Sequence, residues 1–303
     1  MTDSTPATPW NGVDPSAMSK EDIAKILGKI ARIEDIKDIP LPVVYACYRR
    51  VETLSVTYAK RIDFLPYCTS LRDLELVQYI GNDFTPLASC GALESLKITY
   101  STIHDITPLA SCKRLKHLDL SRGMYAVNDL GPLVACTDLE SLDVIYDGKD
   151  IGALASCHAL KDLNLRAGNV TDLAPLAWCH ALRDLNLSGM SNLEDLGPLS
   201  SCTCLQRLSL AGCRWVTDIT PVPAGRLQRL DLSNTSVDLR VLSRFPKLTH
   251  LTVGDCIGVL YLARAIILIL RCCSYVKVIG PLISCVALHA LCLCWCEKLV
   301  DIA

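Results

Sequence analysis

Between Val51 and Leu248 the chain repeats one apolar signature ten times. The pattern is L-x-x-L-x-L, with first positions at Val51, Leu71, Leu93, Leu115, Leu139, Leu160, Leu182, Leu205, Leu227 and Leu248. It continues in degenerate form at Ala265 and Leu288. The steps average about 21.5 residues, a period that belongs to stacked repeat architectures. Alternation within the motif predicts a short strand whose leucines point inward while the residues between them point outward. Successive strands then stack in parallel at about 4.8 Å spacing. One coil cannot bury its own apolar face, so stability must come from neighbouring coils.

Two further features recur in each unit. Before the next strand comes D-[IL]-x-P-L, as in Asp105-Ile106-Thr107-Pro108-Leu109 and Asp172-Leu173-Ala174-Pro175-Leu176. The Asp is placed to cap a short helical turn, with Pro and Leu in its first turn. Three residues before the strand motif sits a cysteine, at Cys68, Cys90, Cys112, Cys136, Cys157, Cys179, Cys202 and Cys285. A second set, Cys213, Cys256, Cys273 and Cys296, follows the last apolar residue of the motif by three. Both positions face inward, where free cysteine behaves as a small hydrophobe with a weak S–H donor.

These motifs resemble leucine-rich-repeat proteins of the short, 22-residue type. Ile103-His104-Asp105-Ile106-Thr107-Pro108-Leu109 is similar to the internalin and phosphatase-regulatory style. The stretch from Cys202 to Asp218 resembles the cysteine-containing repeats of F-box proteins, and the mixture is similar to the leucine-rich-repeat families of trypanosomatid parasites. The resemblance covers residues 36–303. It implies an α/β solenoid: a leucine-rich-repeat horseshoe with a concave parallel β-sheet and convex short helical turns and loops. It also implies protein–protein interaction and no catalytic residues.

The domain reading follows. Residues 1–18, Pro/Ser/Thr-rich, form a disordered tail. Residues 19–35 form an N-terminal capping helix, opened by a capping box at Ser19–Asp22 with Ile23, Ile26, Leu27 and Ile30 on one face. Residues 36–303 form about twelve coils, irregular at 254–275, where the step shortens and Tyr261 replaces the Asp. No C-terminal cap is expected, so the last coil is a candidate for end-to-end contact with a partner or second copy. The cluster Cys272, Cys273, Cys285, Cys292, Cys294 and Cys296 lacks zinc-site spacing.

Charge and composition narrow the function. With 30 basic and 32 acidic residues, the net charge of −2 argues against a nucleic-acid partner. No secretory leader is recognisable, and the longest apolar run, residues 257–270, is too short to cross a bilayer, so no membrane partner is expected. At 17 of 303 residues, the cysteines fall below the density of small disulfide scaffolds. The expected compartment is intracellular, cytoplasmic or nuclear. Nucleotide-loop, zinc-protease and nucleophile-elbow motifs are missing from the sequence, so no enzyme activity, cofactor or metal is expected.

Function then falls on the outward residues of the strands. Between the second and third motif leucines lie Glu75, Lys97, Asp119, Asp143, Asn164, Asn186 and Asp231. One stagger earlier lie Asp162, Asp184, Arg207 and Arg229; just after the strand lie Tyr58, Tyr100, Arg122 and Tyr146. Tyr and Arg weigh most, because such side chains dominate interface energetics. The expected role is a scaffold or adaptor binding a protein through this face. The alternative is a regulatory or substrate-recognition subunit of an enzyme complex, such as a ubiquitin ligase, phosphatase or cyclase regulator.

Overall fold

The computed structural model describes Ser19, Asp22, residues 49–254 apart from Ala167, and the strands at 267–271 and 290–294. The tail, most of the capping helix, the segments around the short repeat step, Cys285 and the chain end lie outside the described residues. All twelve motif registers carry a parallel strand beginning two residues after the first motif position. The last two registers do so as well, because Leu268 and Leu270 remain in the one that starts at Ala265, and Leu288, Leu291 and Leu293 in the other.

The chain divides into two compact units, residues 1–125 and 126–303. The first holds β1 (Thr53–Thr57), β2 (Asp73–Val77), β3 (Ser95–Thr99) and β4 (His117–Arg122), paired in sequence order. The second holds β5 (Ser141–Ile145), β6 (Asp162–Arg166), β7 (Asp184–Asn186), β8 (Arg207–Ser209), β9 (Arg229–Asp231), β10 (His250–Gly254), β11 (Ile267–Arg271) and β12 (Ala290–Cys294), likewise in order.

One coil shows why the repeat folds this way. Leu182, Leu185, Leu187, Met190, Leu193, Leu196, Leu199 and Cys202 are all buried, so its apolar positions close a core between strand and back turn. The back turn, Gly197–Ser201, is a single 3₁₀ turn rather than an α-helix. Its proline sits in the first turn, and five residues leave no room for the α-helical ladder. Asp195 accepts from the Gly197 N–H at 2.7 Å, and the aspartates at 83, 105, 129, 150, 172, 218 and 238 do the same two residues on. The aspartate column therefore orders turns.

The cysteines form a second spine. Ten cysteines are free thiols, and of these Cys68, Cys90, Cys112, Cys136, Cys157, Cys179, Cys202 and Cys213 are buried. Leu176 O accepts the Cys179 N–H of its own turn at 3.0 Å and the Cys202 thiol of the next coil at 3.4 Å. Leu154 O is shared in the same way by Cys157 N and Cys179 Sγ, and Leu87 O by Cys90 N and Cys112 Sγ. A side chain one atom longer than alanine reaches the preceding coil's carbonyl without overpacking the core, and thiol–carbonyl contacts of this kind add a weak attraction.

Candidate functional site

In the second unit the outward side chains of β5–β10 form two columns across the sheet. One runs Ser141, Asp162, Asp184, Arg207, Arg229, His250. The other runs Asp143, Asn164, Asn186, Ser209, Asp231, Thr252. Together they line a recess of about 540 Å³ floored by the strand leucines.

The first column changes sign along its length. Asp162 and Asp184 are register neighbours, and Asp162 has its carboxyl pushed up by burial first, then by the hydrogen bond and charge of Asp184. Arg207 holds Asp184 through its guanidinium, Nη2 donating to Oδ2 at 2.5 Å and Nε donating to Oδ1. That pairing raises the proton affinity of Arg207 further. Arg229 follows, exposed and without an ion pair among the described residues. His250 is held toward its neutral form by burial and by the charge of Arg229, while its Nδ1 lies 2.8 Å from Thr249 Oγ1.

The second column is partly committed to structure. Asn186 Oδ1 accepts from the Ser188 N–H at 2.9 Å and from its hydroxyl at 2.5 Å. Asp231 Oδ1 accepts from the Ser233 N–H at 2.9 Å. Both thereby close the turn that ends their strand. Asp143 is 3.5 Å from Arg166 Nη2. Asn164 Oδ1 and Arg166 Nε are buried atoms with no hydrogen-bond partner among the described residues.

The first unit presents a quieter face. Glu75 takes Lys97 Nζ at 3.0 Å and the Ser55 hydroxyl at 3.0 Å, and these bonds, that from Lys97 foremost, hold its carboxyl below the usual range. Asp119 closes a turn with the Ser121 N–H and hydroxyl at 3.0 and 2.6 Å. Tyr58 and Tyr100 are 59% and 51% exposed. Arg122 Nη1 donates to Tyr100 Oη at 3.2 Å.

Tyr146 is the exception among the residues expected on this face. It is 1% exposed, and its hydroxyl donates to Asp150 O at 2.5 Å. Its coil reaches the inward slot two residues after the last strand leucine position, Val144, rather than three. Tyr146 therefore takes the place that Tyr79 occupies in the second coil, where the Tyr79 hydroxyl donates to Asp83 O at 2.9 Å. His250 was missing from the expected face, although extending the column at Asp162, Asp184, Arg207 and Arg229 by one coil would have reached it.

Among the described residues no group of three or more His, Cys, Asp or Glu side chains could hold a metal ion, and no helix is long and apolar enough to cross a membrane.

Comparison with known proteins places the fold. No family model matches the sequence, and no curated protein matches it. Solved structures do. An internalin (inlF) from Listeria monocytogenes is similar at a TM-score of 0.65 and 22% identity, over 99% of this chain and 98% of that one. Internalin C2 from the same organism gives a TM-score of 0.55 and 22% identity, over 71% of this chain and 92% of that one. The leucine-rich-repeat ectodomain of the Arabidopsis receptor kinase HAESA, solved with an IDA peptide hormone, gives 0.59 and 19%, over 76% and 43%. With its stacked parallel strands and 3₁₀ back turns, this chain has the leucine-rich-repeat solenoid fold.

Proposed function

We propose that the chain is a non-catalytic protein-interaction module, an adaptor or scaffold, that binds a protein partner through the outward face of β5–β10. The observation that carries this reading is the recess of about 540 Å³, whose outward column passes from Asp162–Asp184 to Arg207–Arg229. Such a face offers a segment of protein both donors and acceptors in a fixed order, and order across charges gives specificity more than raw affinity. The HAESA structure, whose leucine-rich-repeat ectodomain holds a peptide, supports protein binding as a use of this fold. An intracellular location belongs to the same proposal, supported by the buried, unoxidised thiols. So does a kinship with short-repeat, cysteine-containing families, supported by the D-[IL]-x-P-L turns and the thiol spine.

Affinity purification of the full chain from its native cells, compared with a reversed-polarity variant, tests the face. The variant Asp162→Lys with Asp184→Arg and Arg207→Asp keeps an internal ion pair while reversing the charge at three positions of the column. Partners recovered with the wild type should be depleted at least tenfold, a loss of about 1.4 kcal/mol or more, with unchanged circular dichroism. Equal recovery from a folded variant would show that this face is not the one used.

A further inference from the structure

Three residues in consecutive coils of the first unit hold left-handed backbone: Tyr58 at φ 58°, Gln78 at φ 50° and Tyr100 at φ 55°. They occupy one register. Tyr58 N–H donates to Val77 O, Gln78 N–H to Thr99 O and Tyr100 N–H to Arg122 O, each the rung that leaves the strand. In the second unit the same rung, Gly189 to Ala211, Gly212 to Ser233 and Asn234 to Gly254, is filled by the residue types that accept positive φ readily. Two tyrosines and a glutamine are thus kept where the backbone favours glycine or asparagine. Strain of this kind persists at recognition sites, where the side chain is needed.

The three side chains share a direction because they share a register. Two strand spacings separate Tyr58 from Tyr100, about 9.6 Å. The polyproline II helix repeats every three residues at 3.1 Å rise, about 9.3 Å. Exposed tyrosines at that interval match successive prolines on one edge of such a helix. Between them the Gln78 side chain has no hydrogen-bond partner among the described residues, and it can donate to the carbonyls that proline leaves free. On the next strand a register shift sets Arg122 opposite Thr99, and from there its exposed guanidinium reaches Tyr100 Oη and pairs with no carboxylate among the described residues. The ladder itself carries no acidic side chain.

We propose that Tyr58, Gln78, Tyr100 and Arg122 form a docking ladder for a proline-rich protein segment of the type Pro-x-x-Pro-x-Glu, its prolines on the tyrosines and its carboxylate on Arg122. The inference rests on the protein-binding reading above but uses a different surface and names the chemistry of the partner.

The test is fluorescence anisotropy of the full chain with a labelled peptide containing Pro-Ala-Ala-Pro-Ala-Glu. Replacing both prolines by alanine should weaken binding about tenfold or more. Tyr58→Gly with Tyr100→Gly should do the same while leaving the melting temperature unchanged or raised, because glycine relieves the backbone. Arg122→Glu should weaken the glutamate peptide and restore binding to its lysine counterpart, which a merely structural arginine would not do. Unchanged affinity in the folded double-glycine variant, or tighter binding of a uridine oligonucleotide than of the peptide, overturns the proposal. If the wild type ignores the peptide while the reversed-polarity variant still loses its partners, the protein-binding reading stands and only this ligand class falls.

Discussion

At the scale of single residues, the same side-chain type does different work according to its place in the coil. Asp195 and Asp172 lie on back turns and close them; Asp119 and Asp231 close the turns that end strands; Asp162 faces outward beside another carboxylate. Only the last is available to a partner without a structural cost. The turn aspartates act through an acceptor oxygen rather than through charge, and asparagine supplies the same oxygen. Asp195→Ala should destabilise by about 1 kcal/mol in urea titration, whereas Asp195→Asn should cost only a few tenths. Equal losses in the two variants would mean that the Gly197 N–H bond is not what the residue supplies. Such positions were legible in the sequence because D-[IL]-x-P-L recurs with fixed spacing.

At the scale of the element, the coil is a strand, a back turn and a thiol that ties the turn to its predecessor. Burial pushes the Cys68, Cys157 and Cys179 thiols up to about 12, and those of Cys90, Cys136, Cys202 and Cys213 up to about 11. The reactive species is the thiolate, so these groups are protected twice, by packing and by protonation. In the native protein an alkylating reagent at neutral pH should modify exposed Cys292 while sparing all seven, and denaturation should open them together. Mass spectrometry of the labelled peptides reads this directly; native-state labelling of Cys179 at the Cys292 rate would contradict the buried spine. The sequence placed these thiols inward, but the pairing of Cys157, Cys179, Cys202 and Cys213 with a carbonyl one coil back needed the register between coils.

At the scale of the whole molecule, a solenoid has no contacts between distant parts of its sequence, so stability accumulates coil by coil. Each buried thiol contributes in the same direction as pH changes. The unfolded thiol loses its proton near 9.0, the folded one only at about 11 to 12. Between these values the unfolded state binds fewer protons, so stability is fully present below pH 9 and falls as pH rises through the folded values. Tyr79 and Tyr146, raised from 10.0 to about 12 by burial, add to the same fall from pH 10 upward. Urea midpoints should therefore be level from neutral pH to about 9 and drop steeply beyond it. A midpoint that stays level into strong alkali would show that the thiols and phenols ionise without unfolding.

What the sequence by itself determined is the coil: twelve strand positions, their inward leucines, the capped back turns and the cysteine spine. These depend on local periodicity, and each repeat states it again. The tertiary structure decided which outward residues are free. Asn186 and Asp231 are tied to the turn two residues on, and Tyr146 sits in the core because its coil reaches the inward slot one residue early. It also decided the sign of φ at Tyr58, Gln78 and Tyr100 and set Asp162, Asp184, Arg207, Arg229 and His250 side by side. Those neighbours are a full coil apart in the chain, and only the parallel pairing of strands brings them within reach of one another.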